Sequence, residues 1–444
     1  MDERERIRAA IAEWKDRKLP QLRERRLKTG LFADLDHIVD ILGVRRAGKT
    51  YLMFLVARRL LEEGYSRDSV IYVSFENKAL YPLNDRLLDE ILEYALETKM
   101  KKCFLFLDEI QGVRGWERWA RSLYDEYKGR IKLVVSGSTS KIMSEDISSL
   151  LTGRHVSLKL LPLGFAEFLE FKGAGIPKEP VYSRQKTAEI RGLFSEYMKF
   201  GGFPEVSLLE DSMKAEVLRS YYEDILYKDI LGKFRIREMA IMENFIKFLF
   251  SSISSHFSIK RGVNYLNSVG IRASSRTLLK YTSMLEETFL FFFLPIFSRK
   301  VRDILKYPRK VYCVDVGLRN VTNPFSEDFG HVCENIVFLE LKRMSFHNPS
   351  LSINYWKDEK GDEVDFVIRQ GSRVRQLIQV CWKMDQETKG REIGALLKAI
   401  KQFGLKEGTV LTGDMEAKER IGGKKIAFMP VYKWLLENGG KNYL

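Results

Sequence analysis

Eight consecutive residues, Gly43-Val44-Arg45-Arg46-Ala47-Gly48-Lys49-Thr50, constrain this chain more than any other stretch. An apolar run, residues 39–42, precedes them, and residues 49–63 follow with helical periodicity that ends at Gly64. A turn between strand and helix that cradles phosphates needs glycine, because its backbone comes close to the ligand and points N–H groups inward. Gly43 and Gly48 fill those positions, with Arg46 and Ala47 between them in the cradle. In this pattern Lys49 reaches the β- and γ-phosphates of ATP, and the Thr50 hydroxyl ligates Mg2+. The pattern predicts an α/β fold with a parallel sheet. A chance glycine turn is the alternative reading of the octapeptide taken alone.

That alternative weakens at Phe104-Leu105-Phe106-Leu107-Asp108-Glu109. Four apolar residues read as a buried strand that delivers two carboxylates to its C-terminal edge, the edge that faces the ligand crevice in a parallel sheet. Asp108 is the expected magnesium ligand through water, and Glu109 the base or orienter for an attacking water. Such a pair alone often caps a helix. About sixty residues after a phosphate loop it points to hydrolysis of a nucleotide.

Two further candidates follow. A strand over 132–136 runs into Ser136-Gly137-Ser138-Thr139, where Ser138 is read as a γ-phosphate sensor, with an ordinary helix N-cap as the alternative. Arg154, in Leu151-Thr152-Gly153-Arg154, is read as an arginine that meets transition-state charge, in cis or from a neighbouring copy in a homo-oligomer. The alternative is a solvated surface arginine. The expected placement of its loop is near the sheet's ligand edge.

Strands at 70–75, 103–107, 132–136 and 156–160 alternate with helices at 87–97 and 116–127, which means βαβ units. Before them, residues 1–30 read as a charged helical arm. The expected domains are this arm, an ATPase domain at 31–162, a helical region at 163–235, a winged-helix-like region at 236–305 and an α/β domain at 306–444. Within the fourth, 258–269 and 274–287 read as helix, turn, helix before the apolar run 289–297.

The formal net charge is +14, with an isoelectric point near 9.3. That surplus favours polyanionic partners, DNA among them, through phosphate contacts and counterion release; a lysine-rich surface without such a role is the alternative. No run of about 18 uncharged apolar residues appears, so no membrane span is expected. The N-terminus carries no signal-peptide pattern, and the four scattered cysteines form no metal or disulfide framework. A cytoplasmic location is the expectation.

As a set, these residues resemble the AAA-type, STAND-related P-loop ATPases of archaea and bacteria that end in a restriction-endonuclease-like domain. The resemblance extends through Leu161-Pro162-Leu163-Gly164-Phe165-Ala166-Glu167-Phe168, Tyr197-Met198-Lys199-Phe200-Gly201-Gly202-Phe203-Pro204-Glu205, Tyr227-Lys228-Asp229-Ile230, Glu334-Asn335-Ile336-Val337 and Glu363-Val364-Asp365-Phe366. It implies that the strand bearing Ser136 lies between those bearing residues 39–42 and 103–107. It also raises a nuclease question. Glu334, Asp365 and Gln379 suit a metal-dependent nuclease, but position 381, where its lysine is expected, is Cys381, and Lys383 lies one repeat further, roughly 7 Å along. The carboxylates also read as structural, paired with Arg343 or Arg391. Three functions stay open: an ATP-driven switch or motor on DNA or another partner, a signalling or scaffold ATPase, and an ATP-regulated nuclease.

Overall fold

The computed structural model describes residues 2–27, 32, 35–138, 151–176, 183–323 and 328–439, which fall into two compact units, Met1–Leu160 and Leu161–Leu444. In the first unit, α1 (Glu3–Asp16) precedes β1 (Ile38–Leu42), α2 (Lys49–Glu62), β2 (Val70–Ser74) and α3 (Arg86–Glu97). Then come β3 (Cys103–Asp108), α4 (Trp116–Tyr127), β4 (Ile131–Gly137) and β5 (His155–Lys159). The strands form one parallel sheet in the order β2-β3-β4-β1-β5. As the resemblance implies, β4 lies between β1 and β3. Every residue of β1, β3 and β4 is buried, as expected for a parallel sheet covered on both faces.

The first helix is not a free arm. Ile7, Ile11 and Trp14, spaced along one face, are buried, and helix α1 ends at Asp16. The Trp14 ring stacks 5.7 Å from Phe54 and lies 5.2 Å from Tyr72, while its indole N–H donates to the Val70 carbonyl at 2.6 Å.

The second unit opens with helices α5 (Phe165–Phe171), α6 (Arg184–Phe200), α7 (Pro204–Leu208) and α8 (Asp211–Asp224). A π-helical turn at Ile225–Gly232 follows, then α9 (Met239–Ser251). Next come β6 (His256–Phe257), α10 (Ile259–Ser268), α11 (Ser275–Glu287), β7 (Phe291–Leu294), α12 (Val301–Lys306) and β8 (Arg309–Cys313), with the three strands ordered β6-β8-β7. After α13 (Val316–Thr322) and α14 (Phe329–His347) comes a mixed six-stranded sheet ordered β13-β14-β12-β11-β10-β9. Its strands are β9 (Leu351–Lys357), β10 (Glu363–Gln370), β11 (Arg373–Cys381), β12 (Glu407–Thr412), β13 (Ala417–Ile421) and β14 (Lys424–Pro430). Helix α15 (Gln386–Gln402) covers one face through Ile393, Leu396 and Ile400, and α16 (Val431–Gly439) closes the described chain. Among the described residues no helix is long and apolar enough to cross a membrane.

The motif Gly201-Gly202-Phe203-Pro204 has a structural role. The buried Asp315 carboxylate accepts the Gly202 N–H at 2.7 Å and the Gly317 N–H at 2.8 Å, and the Gly202 carbonyl accepts the Leu163 N–H at 2.7 Å. Gly201 has φ +74°, and a Cβ there would sit 1.9 Å from an Asp315 oxygen. Gly201→Ala is therefore expected to destabilise the second unit by about 3 kcal/mol or more, the sum of a left-handed backbone and a steric clash. Chemical denaturation of the two proteins measures it, and equal midpoints would contradict this role.

Candidate functional site

The octapeptide leaves the C-terminal end of β1 and enters α2. Gly48 has φ +99°, and Arg46, with φ +68°, also takes the left-handed region, where a non-glycine residue is uncommon. Gly43 answers to a different constraint from the one its motif suggests. A Cβ there would lie 2.1 Å from the Leu160 carbonyl oxygen, so this glycine lets β1 run close beside the chain leaving β5. Ala47 is buried and its N–H returns to the Val44 carbonyl at 3.2 Å. Helix α2 has no side-chain cap at Gly48, so its first-turn amides are open to an anion, and its dipole favours one there.

Thr50 and Asp108 meet: the threonine hydroxyl donates to Asp108 Oδ2 at 2.7 Å. Asp108 is buried, and two more hydroxyls satisfy it, Tyr72 at 2.8 Å and Ser136 on the other oxygen. Burial raises the Asp108 pKa, against the hydrogen bonds from Ser136 and Thr50. Ser136 Oγ also accepts the Glu109 N–H at 3.1 Å, so one hydroxyl bridges the two acidic residues. Glu109 has φ +54° and directs its carboxylate to Lys49, 3.6 Å away, and to the Gln111 amide. Burial would raise the Glu109 pKa, but the Lys49 charge, the Gln111 hydrogen bond and the Arg45 charge together outweigh it and the pKa is lowered. The Lys49 ammonium also donates to the Gly43 carbonyl at 3.1 Å. A cavity of about 610 Å3 opens beside Thr50 and Asp108, walled by Trp14, Arg17, Phe54 and Tyr72.

This donor set fits a magnesium nucleotide. Thr50 and Asp108 offer paired oxygens to a hard cation, and the uncapped helix with Lys49 offers donors to phosphate. The structure thus brings together Gly43, Arg46, Ala47, Gly48, Lys49, Thr50, Asp108 and Glu109. Ser138 is buried just beyond β4 at the same edge, and Thr139 lies outside the described residues. Ser136, two positions before the expected sensor, is the hydroxyl that bridges Asp108 and the Glu109 N–H. Tyr72 was missed as well; the available signal was a lone phenol within the otherwise aliphatic and small Val70-Ile71-Tyr72-Val73-Ser74.

Arg154 is a correction. Its carbonyl accepts the Ile38 N–H at 2.9 Å, and His155 pairs with Ile38. Parallel pairing therefore puts Arg154 at the N-terminal edge of the sheet, a strand's length or roughly 15 Å from the loop after Leu42. Its guanidinium pairs with Asp125 at 2.8 Å. It is not placed to reach a phosphate held by its own chain.

In the C-terminal sheet Asp365 lies within β10, not beyond a strand, and the carboxylates do not pair with Arg343 or Arg391. Arg343 pairs with Glu340 at 2.6 Å and Arg391 with Glu392 at 2.7 Å. Glu334 and Asp365 share Lys310, at 2.6 and 2.8 Å.

Residues 36–169 match the family described as "AAA domain"; residues 191–328 and 329–434 match two families described as domains of unknown function, DUF8612 and DUF4143. Uncharacterized protein MJ1544 of Methanocaldococcus jannaschii is 35% identical over 404 residues, covering 89% of this chain and 87% of that protein. An uncharacterized protein of Haemophilus influenzae is 28% identical, covering 91% and 96%. Among solved structures, the Walker-type ATPase PABY2304 of Pyrococcus abyssi is similar at a TM-score of 0.40 and 14% identity, covering 68% of this chain and 99% of that one.

Ser136→Ala removes the hydroxyl that joins Asp108 to the Glu109 backbone. Loss of that buried bond is expected to lower steady-state phosphate release about tenfold or more while KM for MgATP stays within about threefold. Unchanged turnover in a folded variant would show that the bridge positions nothing.

Proposed function

Because the chain belongs to the family of AAA-type P-loop ATPases that end in a domain of unknown function, we propose that it binds ATP with magnesium, hydrolyses it, and uses the nucleotide state to switch its hold on DNA. The observation that carries the first part is the hydrogen-bonded chain Thr50–Asp108–Ser136–Glu109 beside the open N-terminus of α2. The loop amides and Lys49 hold the phosphates, and Thr50 with Asp108 holds the cation. The cation supplies charge neutralisation at the phosphates when bound. Glu109 orients the attacking water and takes its proton, as the new P–O bond forms and the β–γ bridging bond breaks. Without nucleotide, Lys49 holds Glu109. Phosphates compete for the same ammonium, so ATP itself releases the base and lets its pKa rise.

Support for DNA comes from the surplus of positive charge and from the segment spanning β6 to β8. Helices α10 and α11 follow one another between β6 and the paired strands β7 and β8, an element order that suits the winged-helix reading. Arg272, Arg276 and Lys280 are exposed at and along α11. Between β7 and β8, where a wing stands, Arg299, Lys300, Arg302 and Lys306 are exposed. A signalling or scaffold ATPase without nucleic acid is the reading that failure of the DNA test would leave.

The test measures duplex binding across a salt series, and ATP turnover with and without that duplex. Wild-type protein is expected to bind with steep salt dependence and to change its turnover on binding. Replacing Arg276 and Lys280 together by Ala should reduce the slope of log K against log salt by about 2, near 0.9 for each phosphate contact. No binding at low salt would remove DNA; turnover abolished by EDTA would still support the ATPase.

A further inference from the structure

The restriction-endonuclease-like fold that the resemblance implies would hold a divalent cation among acidic side chains, and the residues here do not fit one. Lys310 sits on β8, alternating with Tyr312 toward the same cluster. Its ammonium, 3% exposed, lies 2.6 Å from Glu334 Oε1, 2.8 Å from Asp365 Oδ1 and 3.2 Å from Glu363 Oε1. An ammonium has three N–H donors, and three carboxylates from α14 and β10 surround this one. The other oxygens of Asp365 and Glu363 are engaged too. Asp365 Oδ2 accepts the Val380 N–H at 2.8 Å and Glu363 Oε2 accepts from the Lys357 ammonium at 3.4 Å, while the Glu334 oxygen that meets Lys310 also accepts the Tyr312 hydroxyl at 2.7 Å. Gln379 accepts the Asp365 N–H at 3.2 Å and donates to Glu392.

The backbone is built for this arrangement. The pairing of β10 with β9 is irregular between Val364 and Val367, around Asp365, and such irregularities re-aim side chains. Burial pushes the Glu334 carboxyl up to about 8, with the neighbouring Asp365 charge adding to the rise against Lys310. Lys357 reaches Glu363 at 3.4 Å, whereas among the described residues Lys310 is the cation that meets both Glu334 and Asp365, so removing its ammonium leaves these two without one. Among the described residues no group of three or more His, Cys, Asp or Glu side chains is disposed to hold a metal ion.

We infer that the Lys310 ammonium is the resident cation of the C-terminal domain, standing where a nuclease of this fold would hold its divalent metal. The lysine that is absent at position 381 has not moved to serve a metal; it has taken the metal's place. Two consequences follow. The wild-type domain takes up no divalent ion at Asp365. Removing the charge while keeping the length of the side chain, in Lys310→Met, turns the same oxygens into a site for a hard divalent cation.

The probe is Mn2+ alone, titrated into full-length nucleotide-free protein and followed by the electron paramagnetic resonance of the free ion. Any Mn2+ held near Thr50 and Asp108 is common to all variants and subtracts out. Wild type and Asp365→Asn are expected to bind equally. Lys310→Met is expected to gain one Mn2+ per chain and to melt at a higher temperature when Mn2+ is added, and Lys310→Met with Asp365→Asn should lose that gain. Wild-type Mn2+ binding that Asp365→Asn abolishes would overturn the inference and restore a metal site. So would a folded Lys310→Met that binds no more Mn2+ than wild type. Should Lys310→Met not fold even with Mn2+, the comparison of wild type with Asp365→Asn decides alone.

Discussion

A carboxylate taken out of water must be given donors, and Asp108 is given three hydroxyls from three different elements. Thr50 comes from the first turn of α2, Tyr72 from β2 and Ser136 from β4. Satisfying one buried charge therefore fixes the phosphate loop against the middle of the sheet and sets where Glu109 can point. Loss of any donor leaves a buried oxygen short of a partner and loosens the register between the loop and the acidic pair. The candidate site and the stability of the sheet edge rest on the same bonds.

Local chemistry was the legible part. The loop between β1 and α2 and the acidic pair ending β3 each sit within a few residues, so strand periodicity and residue type located them. What depended on pairing between distant strands was not legible. Arg154 is the exception: it precedes β5, and in a parallel sheet the residue before a strand lies at the N-terminal edge, opposite the ligand crevice, so the expected strand at 156–160 already argues against its reaching a phosphate. Ser136 lies near the end of its strand, level with Asp108, and Ser138 lies just beyond that strand, a difference set by pairing with β3. Gly43 satisfied the phosphate motif, yet its tightest contact is the Leu160 carbonyl, 117 positions away. Residues 1–30 read as an arm because their charges are dense, while three buried apolar side chains on one helical face outweighed that impression.

The C-terminal domain repeats the problem of the buried carboxylate with a different solution. Asp108 is met by hydroxyls, which under the proposed function leave room for a cation that arrives with nucleotide. Asp365 and Glu334 are met by an ammonium covalently part of the chain. Lys310 was invisible to a search for a lysine two positions after Gln379, because it arrives from β8, 55 residues before Asp365. One chain thus carries two buried acidic centres, one met by hydroxyls and one by a lysine.

The account stands most directly on Glu109 as the group that orients and deprotonates water at the first of these centres. Calorimetric MgATP binding and single-turnover phosphate release, measured together on wild type and Glu109→Gln, test it. The account predicts that the variant binds MgATP about as tightly as wild type and releases phosphate slower by roughly a hundredfold or more, the usual size of a general-base contribution. Wild-type release by Glu109→Gln would contradict it.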